Sequence, residues 1–377
     1  MTKSKFFFPS FFLLLAFLIF FRSPCFFLDG GYWQIKNDSY YDYSLKNNFL
    51  KSILYVYDYG GYFEFTRNIV SKIATYLPFF SQRIDTYFSS IIYLAIFSYV
   101  YFSKSLIFYN KNYKILIIFL ILFSPAMTPE IWLTAPHIKT YFGLFTFLLL
   151  LQDSGALKGY KKIFYRFLII FSGLSSIYAS VFAPIFFLKL LLEKNKDNFL
   201  NFLCSLLPLI INIFIFLNLF NNANRFAFNF GKFESFSYNI LIRPFFASSI
   251  PKFFYNKLSI TNIETILIAI FLILLLLITL VYKILKKKDK IILLITASFI
   301  LHSAFVLIGS LYPNFVGGRY SVIPGIIILS LLIRFYQLED SNFFKYLYSS
   351  LIFMSLLTGI SEFKYFSPAS YMLECKL

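Results

Sequence analysis

Residues 263–310 read IETILIAIFLILLLLITLVY (Ile263–Tyr282), KILKKKDK (Lys283–Lys290) and IILLITASFILHSAFVLIGS (Ile291–Ser310). Each outer run is about as long as a membrane crossing requires, roughly 20 residues at 1.5 Å per residue. Runs such as Leu272–Leu280 are continuously apolar and lack the alternation of barrel strands, so the crossings read as helices. The basic loop between them reads as an orientation signal, because short cytoplasmic loops gather Lys and Arg.

The pattern extends over the chain. Thr86–Phe108, Phe199–Phe220 and Tyr320–Tyr336 are further clear spans. The hydrophobic content of 59% and charged content of 14%, against about 25% charged in soluble domains, leave little material for a soluble core. The expected fold is all-α: one integral membrane domain over residues 1–377, with about 11 transmembrane helices. A net charge of +18 would point to nucleic acid on a soluble protein. Here the basic residues fall in short loops, and no nucleic-acid partner is expected.

The chain starts Met-Thr-Lys-Ser-Lys before the apolar run Phe6–Phe21. No small-x-small cleavage site follows, so the run is expected to stay as a first helix with its basic start in the cytoplasm. Alternation then places Lys104–Lys114, Lys158–Arg166, Lys189–Lys196, Lys283–Lys290 and Arg334–Lys345 inside, and the C-terminus outside. Ile115–Met127 and Thr140–Gln152 are short for spans. Arg166–Leu192 has basic clusters at both ends, and one crossing would strand one of them on the wrong side. It is therefore split near Ser175-Ser176 into two short helices, of the kind tolerated around a protein-lined cavity.

Two outer segments are large. The first, residues 22–85, holds Phe49–Tyr57 and Phe63–Leu77, which read as amphipathic helices at the membrane surface, separated by Gly60-Gly61. In the second of them Phe65, Ile69, Ile73 and Leu77 form the apolar face, opposite Asn68, Lys72 and Thr75. The other outer segment, residues 221–262, interleaves aromatics with Arg225, Lys232 and Arg243. It reads as a surface-lying segment or as a lid over a lipid-linked substrate. Cys204 reads as a small buried hydrophobe. Cys25 and Cys375 are free to pair outside, which sequence does not decide.

Few groups offer chemistry. Asp29, in Leu28-Asp29-Gly30-Gly31, is either a general base at the membrane rim or a loop acid opening an Asp-Gly turn. Arg319, in Gly317-Gly318-Arg319-Tyr320, is either a bidentate phosphate ligand or an interfacial anchor. Arg67 is a second phosphate candidate. Glu130 and His137 lie in the short loop Thr128–Lys139 and are candidate substrate contacts. One His and one acid do not make a metal site, so no cofactor is expected. His302, inside a span, is either functional or a neutral histidine bonded to a neighbouring helix. No phosphate-binding Gly-rich loop, nucleophile elbow or metalloprotease helix is present.

At these residues the chain resembles the polytopic bacterial glycosyltransferases of the GT-C type, and within them a poorly characterised subgroup. Phe27-Leu28-Asp29-Gly30 is similar to its acidic motif after the first helix, and Gly61-Tyr62-Phe63 to its Gly-Tyr loop. Glu130-Ile131-Trp132 through Tyr141 looks like its loop between half-length helices, and Gly173-Leu174-Ser175 through Pro184 like its next hairpin. Gly318-Arg319-Tyr320 with Pro324 resembles its late Arg-Tyr motif. Two departures stand out: Leu28 replaces an acid that commonly precedes the Asp, and Thr66-Arg67-Asn68 replaces a Pro-Arg pair. The resemblance implies a polyprenyl-phosphate-linked sugar as donor and a glycan or lipid acceptor on the outer face of a bacterial plasma membrane. It also implies an inverting transfer with Asp29 as base, and adds Tyr62 and Tyr320 to the substrate contacts. Two rivals remain on the residues alone: a transporter or flippase of a lipid-linked glycan, and an envelope polysaccharide polymerase using Arg225 and Arg243.

Overall fold

The computed structural model describes residues 7–28, 39–57, 61–77, 79, 81, 83–124, 132–134, 137–219, 279–283, 287–310, 321–361 and 363. The described residues are helical, with one isolated antiparallel bridge between Ser105 and Gln152 and no named strand. The helices are α1 (Phe7–Arg22), α2 (Pro24–Leu28), α3 (Ser39–Lys46), α4 (Phe49–Ile53), α5 (Phe65–Tyr76), α6 (Ile84–Phe102), α7 (Lys111–Leu122), α8 (Ile138–Leu150), α9 (Tyr160–Ser175), α10 (Ile177–Ser180), α11 (Ala183–Glu193), α12 (Lys196–Leu219), α13 (Lys290–Ser310), α14 (Val322–Leu338) and α15 (Asn342–Ser361). The segment 221–262, with Arg225 and Arg243, lies outside the described residues, as does most of Ile263–Tyr282.

Three described helices, α6, α12 and α15, are long and apolar enough to cross a membrane. Four shorter apolar helices accompany them, at Phe8–Arg22, Ile138–Leu150, Lys290–Phe305 and Val322–Leu338. α1, α12 and α15 each turn an apolar face outward, with Leu13, Phe214 and Phe353 exposed, while Phe11, Leu15 and Ile19 of α1 pack inward. In water such a surface would drive aggregation; against hydrocarbon it is satisfied.

α8 and α14 form the centre. Every residue of α8 except Lys139 is buried, and so is nearly all of α14. A helix apolar on all sides belongs in such a position. The approach at Gly143 is close: a Cβ there would lie 2.6 Å from Ile323 Cδ1 and 2.7 Å from Tyr178 Cβ. α7 has 12 residues and α8 has 13, about 18–20 Å each, well short of the roughly 30 Å hydrocarbon core. Both pack within protein, which is where short helices are tolerated.

The long run Arg166–Leu192 is broken where the charge argument places the break. α9 stops at Ser175, and Ser176 is extended (φ −157°, ψ 126°). Its side chain accepts from Ala179 N at 3.3 Å to start α10 and donates to Lys139 O at 2.6 Å. The first apolar runs shift by a few residues: Thr86–Phe108 becomes α6, and the stretch after Phe102 leaves the helix to bridge Gln152.

The five basic segments gather at one end of the bundle. Gln337 Nε2 donates to Ile107 O at 2.9 Å, and Lys290 Nζ to Leu192 O at 2.8 Å. Lys162 and Arg166 both pair with Asp197, at 2.5 and 2.8 Å. Arg334 pairs with Asp289 at 2.5 Å, and Lys283 with Glu339. Lys189 is buried and donates to Leu150 O and Gln152 O, both at 2.7 Å, satisfying carbonyls that α8 leaves open at its end.

His302 packs through rings, stacked on Phe182 at 5.9 Å and edge-on to Tyr178 at 5.7 Å. Its Nδ1 has no hydrogen-bond partner, so the expected bond to a neighbouring helix is not made there. Cys204 is a free, half-buried thiol. Cys25 is disulfide-bonded; Cys375 lies outside the described residues.

Candidate functional site

At the opposite end of the bundle, α3, α4 and α5 form a polar layer over the helix ends. α5 is amphipathic, but its faces are used the other way round from a helix lying on a surface with its polar side in water. Asn68 and Lys72 are buried, while Phe65, Ile69 and Ile73 are half-buried and Leu77 is exposed. Asn68 Nδ2 donates to Ile53 O at 3.0 Å and Tyr55 O at 2.8 Å. Lys72 Nζ donates to Ser44 O at 2.8 Å and Asn47 O at 2.7 Å. The polar stripe meets open carbonyls of α3 and α4, and the apolar stripe turns away. α4 is also shorter than expected: the helix ends at Ile53, and Tyr55–Tyr57 leave it.

The chain enters α5 through Gly61, whose φ of +68° suits glycine. Phe63 N then donates to Asn212 Oδ1 on α12 at 3.0 Å, which ties this entry to a helix 149 positions on. Thr66 Oγ1 donates to Ser175 Oγ at 2.6 Å, at the break between α9 and α10. These bonds fix the first turn of α5 against the bundle.

Glu64 stands at the N-cap position of α5, yet its side chain does not cap the helix. Its carboxylate, 3% exposed, takes Arg67 Nη1 at 2.9 Å and Lys139 Nζ at 3.0 Å. Lys139 also donates to Tyr62 OH at 2.5 Å. The Arg67 guanidinium lies 4.0 Å above the ring of Tyr40, a favourable cation–π position. One buried acid thus serves two cations, with two phenols against them. Burial pushes the Glu64 carboxyl up, but Lys139 and Arg67 together outweigh it and hold the group at about 2. Burial, with the nearby Glu64 charge adding to it, raises the Tyr40 phenol well above its ordinary range. The cluster therefore carries a fixed carboxylate between the Arg67 and Lys139 cations, with the Tyr40 phenol kept neutral near neutral pH.

Of the residues singled out in the sequence, Tyr62 and Arg67 come together here. His137 is buried two positions before Lys139, at the start of α8. Asp29, Glu130, Arg319 and Tyr320 lie outside the described residues. Glu64, Lys139 and Tyr40 are the members that sequence reasoning missed. The one available signal was Lys139 itself, a basic residue on a segment assigned to the side poor in basic residues.

A second buried group lies nearby. Arg22, at the end of α1, is buried and donates to Leu122 O at 2.7 Å. Its guanidinium stacks over Trp132 at 4.3 Å and over Phe363 at 4.9 Å. Trp132 meets Tyr93 edge-on at 5.3 Å, and Tyr93 meets Tyr141 at 4.7 Å. Among the described residues no group of three or more His, Cys, Asp or Glu could hold a metal ion. Comparison of the chain with protein-family models, with curated proteins and with solved structures finds no match.

Proposed function

We propose that this chain is a membrane glycosyltransferase that moves a sugar from a polyprenyl-phosphate donor to an acceptor at the outer face of a bacterial plasma membrane. In this reading about 11 helices cross or partly cross the bilayer, the N-terminus is cytoplasmic and the C-terminus external. Two features support the orientation. The basic loops share one end, as loops retained in the cytoplasm do. Cys25, at the other end, is in a disulfide, a bond that persists in oxidising compartments.

The observation that carries the reading is the buried Glu64–Arg67–Lys139 cluster with Tyr62, set at the end away from the basic loops. Two cations fixed in a low-dielectric site stabilise negative charge that develops on a departing phosphate. Arg67 and Lys139 take that role, and Glu64 orients them. Glu64 itself makes a poor general base, since a carboxyl held near 2 has little affinity for a proton at neutral pH. The base is assigned instead to Asp29, which follows α2 directly. The acceptor hydroxyl attacks the anomeric carbon and its proton passes to Asp29. The bond from that carbon to the phosphate oxygen breaks, and the polyprenyl phosphate leaves with the electron pair. Arg319, three residues before the start of α14 at Val322, is assigned a second contact to the phosphate, and Tyr62, His137, Glu130 and Tyr320 line the donor.

The test is transfer of labelled sugar by the purified chain in proteoliposomes supplied with polyprenyl-phosphate-linked sugars. Asp29→Asn is expected to abolish transfer with expression and folding unchanged. Full transfer by that variant removes Asp29 as base. Movement of the intact lipid-linked sugar across the bilayer with no transfer would favour the transporter.

A further inference from the structure

At the end that gathers the basic segments, paired and unpaired cations fall in different corners. Where α13, α14 and α15 meet, Lys283, Lys287 and Arg334 each have an acid: Glu339, Asp340 and Asp289. Where α9, α11 and α12 meet, Lys158, Lys161, Lys194 and Lys196 are exposed. None of these four makes a side-chain hydrogen bond or ion pair among the described residues. The acids of that corner are already engaged. Asp197 lies between Lys162 and Arg166, at 2.5 and 2.8 Å. Glu193 accepts from Asn198 Nδ2 at 2.7 Å, and Asp153 accepts from Gly155 N and Ala156 N at 3.0 and 3.3 Å.

The four lysines surround one contact. Lys162, which pairs with Asp197, is about one turn from Lys158 and next to Lys161. Asp197 follows Lys194 by three residues and Lys196 by one. Lys194 ends α11 in the left-handed conformation, at φ 30° and ψ 53°, and α12 starts at Lys196. The chain turns sharply there and sets both lysines at the tip. Apolar stripes run from the lysines along both helices. Tyr160, Ile163, Phe164 and Phe167 are exposed on α9, and Phe199 and Leu203 on α12. Spacings of three and four keep each set on one helix face.

We infer that this corner binds the headgroups of anionic phospholipids in the leaflet around it. The stripes meet hydrocarbon, and a lysine at the end of such a stripe carries its ammonium to the level of the phosphates. A zwitterionic headgroup offers no net charge in return. An anionic one does, at about fivefold in affinity for each lysine near the surface. A soluble acidic partner would need no apolar stripe beside the lysines. Retention of basic loops in the cytoplasm asks only for basic residues, paired or not. It does not account for three cations matched with acids in one corner and four left without one in another. The site is separate from the Glu64 cluster and does not depend on the transferase reading.

The test is native mass spectrometry of the full-length protein titrated with phosphatidylglycerol and with phosphatidylcholine of the same acyl chains. Phosphatidylglycerol should be retained more than about tenfold more tightly, and raised salt should narrow the difference. Lys161→Gln should lose about fivefold of the preference. Lys287→Gln, which removes an equal charge from a paired site, should keep it. The combined variant Lys158→Gln, Lys161→Gln, Lys194→Gln and Lys196→Gln should bind the two lipids alike. Its melting temperature in phosphatidylcholine nanodiscs should match the wild type. In phosphatidylglycerol nanodiscs the wild type should melt higher and the combined variant should not, because a ligand of the folded state stabilises it. Equal retention of the two lipids by the wild type overturns the inference. So does a preference that survives the combined variant, or one that Lys287→Gln lowers as much as Lys161→Gln. A preference lost only in Lys139→Met would put the lipid phosphate on the Glu64 cluster and overturn it too. Saturable binding of a soluble polyglutamate peptide with no lipid preference would assign the lysines to an acidic protein segment instead. A phosphatidylglycerol preference without sugar transfer would keep this site and sink the transferase. Transfer without that preference would do the reverse.

Discussion

Lys139, on the first turn of α8, reaches back 75 positions in the chain to pair with Glu64 at 3.0 Å, ahead of the first turn of α5. That contact joins the polar layer of α3, α4 and α5 to the buried centre of the bundle, because every other residue of α8 is buried. Whatever moves α5 therefore moves a cation that sits at the end of the core helix.

Glu64→Gln removes the one carboxylate between two mostly buried cations. Breaking a buried pair from one side leaves uncompensated charge and costs about 3–5 kcal/mol. The expected outcome is a markedly lower thermal midpoint in detergent, measured by tryptophan fluorescence. The pair of changes Glu64→Gln with Lys139→Met should lose less than the sum of the singles, because the second removes a charge the first left unpaired.

The same carboxylate sets an acid limit. Its folded value is about 2, below the ordinary 4.5. A depressed carboxyl contributes stability that is complete above its unfolded value and is lost as pH falls toward the folded one. Stability from Glu64 should thus be constant from neutrality down to about pH 4.5 and decline between about 4.5 and 2. In Glu64→Gln this part of the decline should be absent, as read from unfolding midpoints along a pH series.

Gly359 on α15 lies against the turn that ends α7. A Cβ there would fall 1.6 Å from Phe123 O, a contact that backbone cannot yield to cheaply. Gly359→Ala should separate α15 from α7 and destabilise the protein by about 1–3 kcal/mol. Increased protease sensitivity in the segment after Ser341 is the expected reading, while unchanged stability would contradict this packing.

Ser176→Ala deletes the side chain that starts α10 and that holds Lys139 O at 2.6 Å. Loss of an N-cap costs about 1 kcal/mol. The effect on the Glu64 cluster should exceed that: with the Lys139 backbone released, a thiol at position 139 should react faster with a soluble maleimide in Ser176→Ala than in a Ser176 background.

Much of the architecture was legible, and the part that was not has a common cause. Charge at both ends of Arg166–Leu192 forces a break, and small polar Ser175-Ser176 is where a helix yields; both are local facts. The grouping of five basic segments follows from alternation alone. α5 was a different problem. Its amphipathic pattern is plain, but the pattern does not say which face meets protein when lipid can take the apolar one, and Asn68 and Lys72 turn inward. Glu64, Lys139 and Tyr40 were invisible for a further reason: their meaning comes from contacts between distant parts of the chain, 75 positions for Glu64 and Lys139 and Tyr40 with Arg67, and singly none of them stands out.

The central claim is that the buried cations at the end opposite the basic loops hold a lipid phosphate. Its most direct measurement is retention of polyprenyl phosphate, against the matched neutral polyprenol, by the purified protein in native mass spectrometry. The account predicts that the wild type keeps the phosphate form through delipidation, and that Lys139→Met and Arg67→Met lose it while still folded. Equal retention of phosphate and alcohol, or equal retention by the two variants and the wild type, would contradict it.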